Sequence, residues 1–216
     1  MSAPASPAAS PAPAYTHVFF DIGGVLGTNG WDHEQREEAR RRFGLDDEFA
    51  RRHHEVVGEW EAGKLSFDEY LDVTVFYEPR DYSREEFVAF MEAQSRPFPE
   101  SIALVRRLAE RARRAGGPVL MTLNNEGLEL NIYRIESFGL RDLFAAFLSS
   151  CWLGVRKPSH AIYTKALGIA AAAPQEVLLV DDRAQNLAPA AALGMGTYRF
   201  TDAAGLEAEL GRVGLL

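Results

Sequence analysis

Three acidic residues stand directly after apolar runs: Asp21 follows His17-Val18-Phe19-Phe20, and Asp181 and Asp182 follow Val177-Leu178-Leu179-Val180. If those runs are central parallel strands, the carboxylates meet at one edge of a sheet. Like charges so placed raise one another's pKa and repel unless a cation sits between them. An all-oxygen set of this kind suits Mg²⁺. A single aspartate after a strand is also an ordinary turn or N-cap residue, so the reading rests on the set. A further strand end, Leu123-Asn124-Asn125, offers amide donors just before a helix, where an anion is favoured. In Arg156-Lys157-Pro158-Ser159 the proline keeps Lys157 out of the helical region and Ser159 can cap the next helix, so the lysine stands ahead of that helix. A lysine fixed there can neutralise a phosphate or a charged nucleophile.

The elements that must position these residues alternate. Apolar runs at 15–20, 118–123, 144–148, 176–180 and, more weakly, 196–200 predict strands. Helical patterns at about 100–115, 126–138, 159–169 and 185–193 lie between them. Strand–helix alternation predicts an α/β, Rossmann-like parallel sheet with helices on both faces. Residues 31–96 interrupt the pattern with Glu, Arg and aromatics and no strand. Ser66 with Glu69, and Ser83 with Glu86, fit the capping box. The expected organisation is a core of 15–30 and 97–216, with 31–96 a small helical-bundle cap over the sheet's carboxyl edge, where such sheets bind ligands.

Residues 1–14 contain only Met, Ser, Ala and Pro. With four prolines, no basic start and no long apolar stretch, they predict a flexible tail rather than a secretory signal. The 216-residue chain carries 23 Lys and Arg against 31 Asp and Glu, a net charge of −8, which argues against nucleic acid as a partner. No apolar run is long enough to span a membrane. The one cysteine, Cys151, makes no internal disulfide, which fits a cytoplasmic setting.

Together the motifs resemble the haloacid dehalogenase superfamily. Phe20-Asp21-Ile22-Gly23-Gly24-Val25, then Leu123-Asn124-Asn125-Glu126, then Gly154-Val155-Arg156-Lys157-Pro158, then Val180-Asp181-Asp182 with Asn186 occur in that superfamily's order and spacing, over residues 16–200. The stretch from Asn125 to Ile135, and Ile162-Tyr163 after the lysine motif, look closest to sugar-phosphate phosphatases of the glucose-1-phosphate phosphatase type. They also resemble the N-terminal phosphatase domain of soluble epoxide hydrolases. The resemblance implies a Mg²⁺-dependent hydrolase of a small phosphorylated metabolite. Asp21 would be the nucleophile that carries the phosphoryl group. Asp21, the Gly23 carbonyl and Asp182 would hold Mg²⁺, with Asp181 near it. Lys157, Asn124 and Asn125 would bind the phosphate.

Two departures qualify that expectation. The superfamily's phosphatases usually carry an acid two residues after the nucleophile, and here Gly23 stands in its place. The second strand ends in Asn124 rather than Ser or Thr, with Thr122 two residues earlier as another candidate. Without the acid, esters whose leaving oxygen is already a good anion should be preferred, unless His53 or His54 of the cap replaces it. Trp31, Trp60, Tyr77 and Tyr82 are candidates for lining a pocket or for packing the cap. The alternatives are a 2-haloacid dehalogenase, which uses the same aspartate on carbon without metal, and a phosphometabolite-binding protein with weak turnover.

Overall fold

The computed structural model describes residues 15–216, so the tail expected at 1–14 lies outside the described residues. Strand β1 (His17–Phe20) leads into four helices, α1 (His33–Arg42), α2 (Phe49–Glu61), α3 (Phe67–Thr74) and α4 (Arg84–Ala93). The chain then continues as α5 (Pro99–Ala115), β2 (Val119–Thr122), α6 (Leu128–Ser137), β3 (Ala146–Phe147), the single turn α7 (Ser150–Leu153), α8 (His160–Ala170), β4 (Val177–Asp181), α9 (Ala184–Ala192), β5 (Gly196–Arg199) and α10 (Ala203–Arg212). The five strands form one sheet in the order β3-β2-β1-β4-β5, parallel throughout. Each parallel step needs a crossover, and the helices supply it.

Period-two alternation decides which side chains each face buries. Val18, Phe20, Leu178 and Val180 point into one apolar cluster, and Phe19, Val177 and Leu179 into the other. Both faces are covered, which explains why the central strands read as unbroken apolar runs. The run at 144–148 is a strand for only two residues. Phe144 turns inward instead and meets Phe20 edge-on at 5.8 Å. Helix α10 and the turn α7 were not expected from the sequence.

The four helices after β1 have an apolar cluster of their own, in which Trp31 meets Phe49, Phe87 and Phe90 edge-on and Trp60 stacks on Tyr70 at 4.2 Å. Both capping boxes form: the side chains of Ser66 and Ser83 accept from the backbone of Glu69 and Glu86, which answer onto the serine backbone. Polar contacts tie this layer to the sheet's carboxyl edge. Ser150 donates to the Glu61 carbonyl at 2.6 Å, and Arg183 pairs with Asp32.

Candidate active site

Register puts the acids together. Phe20 pairs with both Thr122 and Val180, so the next residues, Asp21 and Asp181, leave adjacent strands at one level. Carboxylate oxygens of Asp21, Asp181 and Asp182 lie within 4.8 Å of one another. The Lys157 ammonium bridges two of them, 2.9 Å from Asp21 Oδ2 and 2.6 Å from Asp181 Oδ2. Asn125 sets that lysine in place by pairing with its backbone: its Nδ2 donates to the Lys157 carbonyl and its Oδ1 accepts the Lys157 N–H, at 2.9 and 2.8 Å.

The three carboxylates differ in how fully they are used. Asp181 accepts from Lys157, from Asn186 Nδ2 and from the Arg183 N–H, so it holds the cluster together. Asp21 Oδ1 accepts the Ile22 N–H at 2.8 Å. Asp182 Oδ1 is buried with no hydrogen-bond partner among the described residues. A buried carboxylate oxygen without a donor is costly, and a cation is the ligand that relieves it. Gly24 makes room for this group. Its φ is +73°, and a Cβ there would fall 2.3 Å from Asp182 Oδ2. The oxygen-only donor set fits Mg²⁺. Burial pushes the Asp21 carboxyl up to about 7 against the pull of Lys157, and Asp181 adds to the rise. Burial opposes the Lys157 ammonium too, but Asp21 and Asp181 hold it above the ordinary lysine value.

Of the three acids Asp21 opens onto a cavity of about 330 Å³ between the sheet edge and the cap helices. Asp21, Gly23, Asn125 and Lys157 line its floor, and Trp31, Arg36, His53 and Trp60 its roof. Asn124 does not line it. Its Nδ2 donates to Asn131 Oδ1 at 2.9 Å and its Oδ1 accepts from Ser149, in a buried network behind the site. The expectation that the Asn124 amide reaches a phosphoryl oxygen is corrected accordingly: its visible role is to brace the end of β2. Thr122 is buried within the sheet and does not line the cavity either. Tyr77 and Tyr82 lie away from it, whereas Trp31 and Trp60 both line it while packing the cap. Cys151 is off the cavity, and burial raises its thiol to about 12, so it is a poor nucleophile at neutral pH.

Several cavity residues had no place in the sequence reading. Arg134 of α6 is buried, pairs with Glu126 at 3.0 Å, and is held by Ser95 Oγ and the Asn29 carbonyl. Its Nη1 lies 3.4 Å from where a Cβ on residue 23 would be, and Asn29 Oδ1 lies 3.0 Å from it. A guanidinium and an amide thus stand beside the place where an acid was missing. Arg156 faces Glu61 at 2.6 Å. Glu126 and Arg183 could have been suspected as direct neighbours of Asn125 and Asp182. Arg36, Glu61 and Arg134 sit inside helices and carry no local signal.

His53 does not replace the missing acid. Its Nδ1 is 2.8 Å from Tyr70 Oη, and burial first, then Arg36, His54 and Arg156, lower its pKa to about 3, with only Asp32 opposing. His54 is exposed and does not line the cavity. The unfolded chain takes up a proton at His53 below its ordinary value of 6.5, and the folded protein does not until about 3. Stability from this residue is therefore present above 6.5 and lost as pH falls through that window, at up to about 1.4 kcal/mol per pH unit. Urea unfolding at a series of pH values should show a shallower acid loss for His53→Gln than for wild type. Parallel curves would mean that His53 is protonated in the fold.

A family model described as haloacid dehalogenase-like hydrolase matches residues 15–194. Bifunctional epoxide hydrolase 2 of Rattus norvegicus is 39% identical over 70 residues, a match covering 32% of this chain and only 13% of that protein. Among solved structures, a HAD family enzyme of Bacteroides thetaiotaomicron, in complex with magnesium and inorganic phosphate, superposes with a TM-score of 0.73 at 20% identity, over 87% of this chain and 94% of that one. The L-2-haloacid dehalogenase of Xanthobacter autotrophicus, with chloropropionic acid covalently bound, gives 0.61 at 18% identity, over 94% and 84%. At these identities the structural likeness speaks for the fold. Among the described residues no helix is long and apolar enough to cross a membrane.

Proposed function

This chain belongs to the haloacid dehalogenase-like hydrolases, and we propose that within that family it is a Mg²⁺-dependent phosphatase of a small phosphorylated metabolite. The observation that carries the proposal is the buried, donorless Asp182 Oδ1 beside Asp21 and Asp181. A hydrolase that works on carbon without metal has no use for it. Asp21 and Asp182, with the Gly23 carbonyl, would hold the ion, and bound Mg²⁺ would supply positive charge against the phosphoryl oxygens.

In this reading Asp21 Oδ attacks phosphorus and the bond to the leaving oxygen breaks. Water then attacks the same phosphorus and releases inorganic phosphate and the Asp21 carboxylate. Lys157 opposes the burial-driven rise of the Asp21 carboxyl and holds it in place, and would neutralise charge on the transferring group. Beside position 23, on the leaving side, Arg134 offers guanidinium N–H groups, its charge shared with Glu126, where an acid was expected. Arginine does not release its proton near neutrality, so it stabilises a departing anion without protonating it. Aryl, acyl and anomeric phosphates are therefore expected to exceed simple alkyl esters in kcat/KM by about 10²-fold or more, the usual worth of a positioned acid. Equal rates on phenyl phosphate and glucose 6-phosphate would refute this account of the leaving side.

Asp182→Asn is expected to raise the half-saturating Mg²⁺ concentration at least about tenfold, with activity recovered at excess metal. An unchanged Mg²⁺ titration would remove Asp182 from the ion. The overall reading is tested by assaying the purified chain on phosphate esters and 2-haloacids, each with Mg²⁺ and with EDTA. Metal-dependent phosphate release supports it. Halide release in EDTA favours the dehalogenase, and saturable binding without turnover favours a binding protein.

A further inference from the structure

The charges on the cavity wall can be matched one by one. Lys157 is paired with Asp21 and Asp181, Arg134 with Glu126, Arg156 with Glu61 and Arg183 with Asp32. Arg36 is the exception. Among the described residues it is the one cavity-lining cation with no carboxylate within 4.0 Å, and its one side-chain hydrogen bond, from Nη1, goes to the Trp31 carbonyl at 2.6 Å. It projects from α1, on the cap side of the cavity. Asp32 and Glu61 are near, but Arg183 and Arg156 already neutralise them, so this side carries three guanidinium groups against two carboxylates.

Two neutral groups of the cap that line the same cavity carry N–H donors as well. Trp60 lines the cavity, is 2% exposed, and its buried indole N–H has no acceptor among the described residues. The Trp31 indole N–H donates to Tyr70 Oη at 2.7 Å, and that oxygen lies 2.8 Å from His53 Nδ1. Tyr70 accepts from Trp31 and has its own proton to give to His53 Nδ1; in that tautomer the His53 proton stands on Nε2 as a third donor. A half-buried cation without a counter-charge and a buried N–H without an acceptor both cost free energy that an anion would recover.

We infer that Arg36, Trp60 and His53 form a subsite for a second anionic group, so that the substrate is a phosphorylated metabolite bearing a carboxylate or a second phosphate at its far end. This rests on the phosphatase reading for the scissile end only. The subsite sits on the cap and takes no part in bond breaking. Its contribution is affinity and orientation, which is why it should discriminate between esters that share a leaving group.

The test uses three aryl esters that differ in the tail: phenyl phosphate, para-carboxyphenyl phosphate and para-phenylene bisphosphate. Wild-type kcat/KM should be at least about tenfold higher on the two anionic-tailed esters. Arg36→Gln should lower those two at least about tenfold more than it lowers phenyl phosphate, with an unchanged melting temperature as the folding control. Which of the two anionic esters is faster tells carboxylate from phosphate. Indifference of the wild type to the tail overturns the proposal, and so does an equal fall on all three esters in the variant. If no ester is hydrolysed, the phosphatase reading fails separately. Calorimetric binding of the same esters to wild type and Arg36→Gln then decides: a tail preference lost in the variant sustains the subsite, and no preference overturns it.

Discussion

If the chain is the phosphatase proposed, Asp21→Asn is expected to leave a folded protein whose phosphate release is at least about a thousandfold slower, a barrier increase of roughly 4 kcal/mol. The amide is a poor nucleophile, and no other side chain stands ready to take over. Asp181 is committed to Lys157, Asn186 and the Arg183 N–H, and Asp182, packed against Gly24, is the residue proposed to hold the ion. The fold should survive because the Asn oxygen can still accept the Ile22 N–H, and Lys157 retains Asp181 as a partner. Removing one of three clustered carboxylates also relieves repulsion in the metal-free protein. A variant that keeps more than a tenth of wild-type activity, at an unchanged melting temperature, would mean that another group attacks phosphorus.

Lys157→Met should cost both activity and stability. The methionine chain fills much of the same volume, so packing is nearly conserved and the change isolates the charge. Two buried carboxylates lose their shared cation, and breaking a buried pair from one side typically costs about 3–5 kcal/mol. Activity should fall at least about a hundredfold, because the transferring group loses a positive charge fixed beside the nucleophile. Added Mg²⁺ should restore part of the stability, since the ion takes over neutralisation of Asp21, but little of the activity. Thermal melts with and without Mg²⁺, run beside a kinetic assay, separate the two effects. A variant as stable as wild type in EDTA would show that Asp21 and Asp181 are not both charged in the metal-free fold.

The sheet and the floor of the site were legible because both obey local rules. A strand buried on both faces must be an apolar run, and a functional residue at its carboxyl end must be the first polar residue after it. Asp21 and Asp181 satisfy that rule; Lys157 was legible by another, standing before Pro158 and the Ser159 cap of α8. Asn124 satisfies the strand-end rule as well, yet its side chain turns to Asn131 and Ser149, because the pattern marks a position and does not fix a rotamer. The strand expected at 144–148 is present but only two residues long, because an edge strand needs few ladder bonds and Phe144 gains more from the core. The cavity roof was least readable. Arg36, Glu61 and Arg134 lie within helices whose charged residues mostly face solvent, and only the docking of the cap on the sheet selects the few that point inward. Gly23 shows the same limit from the other side: the sequence reveals a missing acid, and only the fold puts Arg134 next to the gap.

Asp21 is the residue proposed to carry the phosphoryl group. The most direct test of that role is to mix the full chain with Mg²⁺ and an aryl phosphate, quench in acid within a turnover, and locate the modification by peptide mass spectrometry. The expected result is a Mg²⁺-dependent phosphoryl adduct on the peptide containing Asp21, absent in Asp21→Asn and absent in EDTA. Phosphate release with no adduct on that peptide at any quench time, or an alkyl adduct formed from a 2-haloacid without metal, would contradict it.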